Sequence, residues 1–401
     1  MPVTDIARTI DETHESDVAS AWRAALFCLV VFCVARVAVS LVAVAAVGAH
    51  PPDASAITGV SPPASFTMAA RPGWHNALDG MQRWDEAWFA WIAADGYGNG
   101  EDVRAAFFPA FPAATAATAA VTGTSTPTAA TVVSNVAYLC SLIVLFRLTA
   151  VELGDREARW SVAFFAAMPT SFFFLAPYSE SLFLLATLLV FLWARSDQWS
   201  LSACAGVLAG LTRPMAVALT PAVWWIARTA SRASRRARIA AVAAPVVGIL
   251  CYLAWWGVAR GDAIAPVHAQ TYWGRGTAFA PFTVVRGLTF AVLAVVRAVR
   301  PDLLVDGALT TCFLVSAVLA VRRIPSAYVA YMWSTLLIPL SFAWAPRPFL
   351  SVPRLACVLF PIAWVWVRVL RTRVRLTVAI AVAAVSQLAL AAVFMNWGWL
   401  F

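Results

Sequence analysis

"WRAALFCLVVFCVARVAVSLVAVAAVGA", residues 22–49, decides the class of this protein. The stretch carries two arginines and no acid, and as a helix it is long enough to cross a bilayer. It is also too long for the apolar centre of a cleavable leader. It is therefore expected to stay as the first span, behind a polar, acidic segment 1–21. Comparable runs recur along the chain, at about 129–149, 160–176, 180–195, 199–212, 214–228, 239–259, 303–321, 326–344, 354–370 and 375–396. Of the 401 residues, 62% are hydrophobic and 12% charged, whereas a soluble domain carries about 25% charged residues. The expected fold class is an all-α polytopic membrane protein with about 11 transmembrane helices (range 9–13). Residues 22–401 are read as a single transmembrane domain.

The net charge is +9 and every basic residue is Arg. In a soluble protein that balance would point to nucleic acid. Here the arginines cluster in short connections between apolar runs, at 147–159, 228–238, 321–324 and 368–375, so they read as topology signals. With residues 1–21 inside and eleven crossings, all four clusters fall in the cytoplasm. Two apolar segments, 106–121 and 283–300, break a simple count. The parity holds if both lie along the outer surface, and Arg286, Arg297 and Arg300 among apolar residues suit an interfacial helix. "LTRP" (211–214) marks a broken helix, tolerated in a membrane where its tip lines a cavity.

Under this topology the unusual polar residues gather on one face. A large outer loop at about 50–128 contains "RWDEAWFAWIAADGY" (83–97), and "PYSES" (177–181), "RGDAIAPVHAQTYWGRG" (260–276) and "APRPFLSVPR" (345–354) lie at the same ends of spans. Asp85, beside Arg83 and Glu86 and among tryptophans, is either a solvated loop acid or a general base. Aromatic neighbours would desolvate it and raise its proton affinity. Glu180 stands alone between apolar runs, where an ionisable group is costly and commonly functional. Arg213 is an isolated cation in an apolar stretch: either the partner of Glu180 or a phosphate clamp using the guanidinium fork. Arg275 and Arg354 are further candidates for donor phosphate or substrate, with Tyr178, Arg83, Gln270 and Trp84. Arg36, midway along the first span, is snorkelling or internally paired.

The seven cysteines and four histidines lack metal-ligand spacing, and neither a metal nor a cofactor is expected. No phosphate-cradling glycine loop, nucleophile elbow or Asp-x-Asp pair is present. A donor embedded in lipid fits the layout better than a soluble nucleotide.

These residues resemble the PIG-V-like (GPI mannosyltransferase 2-like) family of GT-C membrane mannosyltransferases. The resemblance rests on "RWDEAWFAWIAADGY", "FFPAFP" (107–112), "SNVAYLCSLIVLFRLT" (134–149), "PTSFFFLAPYSESLF" (169–183), "AGVLAGLTRP" (205–214), "RGDAIAPVHAQTYWGR" (260–275) and "SVPRLACVLFPIAW" (351–364), in the family's order over roughly 80–365. It implies a polyprenyl-phosphate mannose donor, a lipid or glycan acceptor on the extracytoplasmic side of the plasma membrane, and inversion by direct displacement. It also implies an acid of the first outer loop as base, a position matched by Asp85. The Ala- and Arg-rich, Lys-free composition looks like a bacterial, actinobacterial-type member, which argues against a GPI precursor as acceptor. Segments 50–80 and 283–303 match the family least. The competing expectation is a polytopic transporter or lipid flippase for a glycolipid, but no inverted repeat of the kind common in transporters is visible. A scaffold subunit without chemistry fits Asp85, Glu180 and Arg213 poorly.

Overall fold

The computed structural model describes residues 3–49, 73–98, 102–230, 234–297, 300–396 and 398. Residues 50–72 and 99–101 of the expected outer loop, and 231–233 of one arginine cluster, lie outside the described residues. The chain is almost wholly helical. The helices are α1 Val3–Ala49, α2 Asn76–Asp79, α3 Glu86–Asp95, α4 Ala110–Thr122, α5 Thr126–Leu153, α6 Asp155–Ala167, α7 Ser179–Arg195, α8 Trp199–Thr212 and α9 Leu219–Ala227. They continue with α10 Arg235–Arg260, α11 Ala265–His268, α12 Ala280–Arg297, α13 Pro301–Ala320, α14 Ser326–Ser341, α15 Val352–Leu355, α16 Pro361–Leu370 and α17 Arg373–Met395. A two-residue ribbon, β1 Gly276–Thr277 with β2 Phe342–Ala343, pairs antiparallel with Gly276 opposite Ala343. Residues 3–21, expected as a segment ahead of the first span, continue its helix.

Helix boundaries follow local chemistry. Ser125, Ser234 and Thr372 cap α5, α10 and α17 by accepting from the amides of Thr128, Ala237 and Arg375, which satisfies donors that a helix start leaves open. Gly154 (φ 101°) and Gly261 (φ 77°) end α5 and α10 in conformations that other residues adopt at a cost. At "LTRP" the helix breaks as read. Pro214 forces Arg213 into extended backbone (φ −157°, ψ 146°), and α8 gives way to a 3-10 turn, Pro214–Ala218.

Among the described residues six helices are long and apolar enough to cross a membrane: Ser20–Val47 within α1, α5, α10, α12, α13 and α17. A seventh results if the pair Val352–Val358 and Pro361–Leu370, bent by 83°, is one span. Several segments counted among the eleven expected crossings are shorter helices: α6 of 13 residues, α7 of 17, α8 of 14, α9 of 9 and α14 of 16. Prolines and 3-10 turns shorten the regular part of α9, and the turn Ser171–Phe174 follows α6.

The helices define two ends of one bundle. At one end lie residues 73–98, 175–180, Arg213, 260–277 and 341–356; at the other lie residues 153–157, 195–199, 227–230, 234–235, 320–326 and 370–373. Segment α12, expected along the surface, passes the length test for a span, yet both of its termini stay at the first end. Its start adjoins the β1–β2 ribbon, its Gly287 faces the Phe349 ring, and its Ala291 faces Gly307 in the first turns of α13. Its small residues Ala280, Gly287, Ala291 and Ala294 face inward, while Phe282, Val285, Val292 and Val296 face out.

Small residues also set the closest helix packing. A Cβ on Gly210 of α8 would lie 2.2 Å from the Pro245 carbonyl oxygen of α10, and one on Gly248 would lie 2.3 Å from that of Val207. Such close backbone approach is how apolar helices associate where lipid removes the hydrophobic incentive. Gly210→Val is expected to lower thermal stability in detergent by about 1–3 kcal/mol, the usual cost of overpacking. Gly276→Ala, with open space around it, should leave the melting temperature unchanged.

Candidate active site

The site begins with backbone conformation. Trp84 sits at φ 58° immediately before Asp85, and Ser351 at φ 64° three residues before Arg354. Left-handed conformations at non-glycine residues cost on the order of 1 kcal/mol each and persist where surrounding structure holds them, often at functional sites. Trp84 is held through its neighbour. Arg83 is buried and donates to the carbonyls of Asp79, Gln82 and, across the fold, Met395 at the end of α17. The Tyr178 hydroxyl donates to the Arg83 carbonyl (2.8 Å) and accepts from the Asp85 amide (3.2 Å). The loop carrying Asp85 is thus tied to the loop ahead of α7.

Charge completes the assembly. Arg354 Nη1 meets Asp85 Oδ2 at 2.6 Å and Arg354 Nε meets Glu180 Oε1 at 2.6 Å. Arg213 Nη1 reaches the same Glu180 oxygen at 2.7 Å and the Ser179 hydroxyl at 3.4 Å. Arg354 also lies over the Tyr178 ring, 4.4 Å from its centre. Glu180 is 0% exposed, the arginines 12%, and Asp85 28%. Asp85 is therefore the more exposed carboxylate of the pair. Arg275 joins through Ser351, donating to its hydroxyl at 2.6 Å, and reaches Gln270 Oε1 at 3.5 Å. Burial, with Arg354 and Arg213 nearby, holds the Arg275 guanidinium down to about 10 against the opposing charge of Asp85. Three guanidiniums thus surround two carboxylates.

The structure gathers Asp85, Glu180, Arg213, Arg275, Arg354, Tyr178 and Gln270 into one place. Arg213 and Glu180 form the ion pair that the sequence offered as one of two readings. The setting of Asp85 differs from the aromatic box expected, because a guanidinium meets it. Arg83 faces backbone carbonyls rather than the cluster, and Trp84 supplies a turn. Arg36 is internally bonded, to the carbonyls of Ala77 (3.0 Å) and Leu175 (3.5 Å). Sequence reasoning missed a second buried pair. Arg347 Nε meets Asp306 Oδ2 at 2.5 Å, and Arg347 Nη2 meets Asp306 Oδ1 at 3.0 Å. It anchors the loop leading to Ser351 and Arg354 onto α13. The signal was available, since Asp306 is an acid inside an apolar helix. Among the described residues no three His, Cys, Asp or Glu side chains gather as a metal site.

The sequence model of the family described as mannosyltransferase (PIG-V) matches residues 25–211. Over that stretch the chain is similar to the PIG-V mannosyltransferase family. The match contains Asp85 and Glu180 and ends just before Arg213. The chain is thus a multi-pass membrane protein with a partial match to a glycosyltransferase family. A comparison with curated proteins gave no match. Among solved structures, the chain is similar to the oligosaccharyltransferase of Archaeoglobus fulgidus tethered to an acceptor peptide, at 12% identity and TM-score 0.45, covering 92% of this chain and 55% of that one. It is also similar to the same organism's oligosaccharyltransferase AglB in complex with an inhibitory peptide and a dolichol-phosphate, at 12% identity and TM-score 0.45, covering 92% and 56%. The chain spans about half the length of these proteins.

Two outcomes follow from the site's electrostatics. Replacing Glu180 by Gln leaves Arg213 and Arg354 without their shared counter-charge, and removing one partner of a buried pair typically costs about 3–5 kcal/mol. A marked fall in melting temperature is expected, and an unchanged one would mean that Glu180 does not hold the site together. Glu86, 1% exposed, gives the second. Burial pushes its carboxyl from 4.5 up to about 8, with Arg83 opposing and Asp79 reinforcing the shift. The folded form then binds more protons than the unfolded one, so the Glu86 contribution is greatest below pH 4.5 and is lost as pH rises to 8. Melting curves across this window should show a downward slope in the wild type that Glu86→Gln flattens.

Proposed function

We propose that the chain moves mannose from a polyprenyl-phosphate mannose donor to a lipid or glycan acceptor at the extracytoplasmic face of the plasma membrane. The observation that carries this reading is the charge balance at Asp85: an outward-facing carboxylate beside three guanidiniums that only two carboxylates offset. A phosphate monoester or diester would bring the missing negative charge, and arginine forks suit phosphate oxygens. The family match supports the sugar and the transfer chemistry. The four arginine connections at the opposite end of the bundle support placing Asp85 outside. The domain boundaries expected from sequence, a cytoplasmic 1–21 and a transmembrane 22–401 with a catalytic loop near 50–128, enter as part of the same proposal.

In this mechanism Asp85 Oδ1, the oxygen not engaged by Arg354, accepts the proton of the acceptor hydroxyl. That oxygen forms a bond to C1 of the mannose. The C1–O bond to phosphate breaks on the opposite face and its electron pair stays with the departing polyprenyl phosphate, so the configuration inverts. Arg354, Arg275 and Arg213 offset the charge that develops on the phosphate. Glu180 fixes the orientation of two of these arginines. Tyr178 and Gln270 position the loops and Arg275, and the proton on Asp85 is released to water after the product leaves. Arg83 and Trp84, first grouped with the substrate-binding candidates, act by holding the Asp85 turn.

The test supplies radiolabelled polyprenyl-phosphate mannose to membranes containing the wild type or Asp85→Asn. General-base loss reduces rates by about 100-fold or more, so label is expected to reach an endogenous acceptor only with the wild type. Normal transfer by Asp85→Asn would remove the base assignment. Failure of both well-expressed proteins, with label instead crossing the membrane on an intact lipid, would favour a flippase.

A further inference from the structure

At the end of the bundle opposite Asp85, a cavity of about 490 Å³ is lined by five arginines: Arg156, Arg322, Arg323, Arg368 and Arg371. Glu157 is the one acid in its wall, and Trp160, Val367 and Leu376 supply apolar surface. The arginines come from three separate connections: the first turn of α6, the turn between α13 and α14, and the end of α16 with the turn into α17. The last two connections are tied together by reciprocal hydrogen bonds. Arg323 donates to the Arg368 carbonyl (3.4 Å) and Arg368 to that of Arg323. Arg371 sits at φ 51°, a conformation that costs energy for a side chain of its kind. Among the described residues none of the five forms an ion pair.

Topology alone accounts for arginines at this end. It does not account for five of them converging on one cavity from three turns, where a single carboxylate, Glu157, offsets their mutual repulsion. Phosphate oxygens would relieve that repulsion and use the bidentate geometry of the guanidinium. The apolar part of the wall, with an indole of the kind that settles at the membrane interface, suits the glycerol and first acyl carbons of a lipid rather than a free ion. We infer that this cavity binds the headgroup phosphate of an anionic phospholipid. Basic pockets between transmembrane helices are a recognised way of holding such headgroups. The site is separate from the Asp85 cluster and does not depend on the transfer reaction proposed for it.

The experiment uses the purified full chain in detergent and follows its melting temperature during titration with short-chain phosphatidylglycerol, phosphatidylcholine of the same chain length, and inorganic phosphate. Phosphatidylglycerol is expected to raise the melting temperature saturably, and the other two are not. In Arg322→Gln/Arg371→Gln the half-saturating concentration should rise by roughly tenfold or more, as expected for the loss of two contacts to an anionic headgroup. Arg322→Lys/Arg371→Lys, which keeps the charge that sets topology but loses the fork, should fall between the two. If the glutamine variant does not fold, the lysine variant against wild type carries the comparison. An equal response to phosphatidylcholine, or unaltered titration by both variants, would overturn the site. An equal response to inorganic phosphate would overturn the lipid assignment.

Discussion

The structure depends on Arg354 standing between Asp85 and Glu180. Those residues come from parts of the chain far apart in sequence, and one guanidinium holds both carboxylates at 2.6 Å. A buried charge of this kind is stable only when paired and hydrogen-bonded, because moving it out of water costs several kcal/mol. The surrounding backbone is arranged accordingly. Tyr178 stacks beneath Arg354 while joining the Asp85 turn to the loop ahead of α7. Arg347 on Asp306 fixes the approach to Ser351, and Ser351 takes Arg275. Even the end of α17 contributes, through the Met395 carbonyl that receives Arg83.

The two ends of the bundle carry opposite designs. At the Asp85 end, Arg354 joins Asp85 and Glu180, Arg213 joins Glu180, and Arg347 joins Asp306, each pair from different loops or helices and mostly buried. At the other end five arginines stand around a cavity, and among the described residues none of these five forms an ion pair, while Arg195 pairs with Glu152 nearby. A membrane protein needs basic residues on one side for orientation, and it needs ionisable groups near its spans only where chemistry or binding repays their desolvation. The similarity of residues 25–211 to a mannosyltransferase family agrees with chemistry at the paired end.

Much of the site was legible because polar residues are so scarce. Five acids follow residue 158, and two of them, Glu180 and Asp306, turn out to anchor the buried ion pairs. Asp85, Arg213, Arg275 and Arg354 stood out for the same reason: an apolar background makes each charge conspicuous. Neighbours in sequence are not always neighbours in the cluster. Arg83 and Trp84 immediately precede Asp85 in the chain, yet one points to backbone carbonyls and the other provides a left-handed turn. The Arg347–Asp306 pair joins a loop to a helix 41 residues away, a contact that neither residue's local sequence marks.

The sequence by itself determined the class of the protein, its family resemblance, the break at Arg213–Pro214, and the segregation of arginines from the polar motifs. These are properties of run length, local backbone sterics and composition, which need no partner to be expressed. Tertiary structure alone decided which carboxylate each arginine holds, that α12 keeps both termini at one end, and that three basic turns close around one cavity. Those outcomes depend on where helices α5 to α17 pack. Packing is set by small residues such as Gly210 and Gly248 meeting across helices, a contact that hydrophobic periodicity along one strand of sequence does not encode.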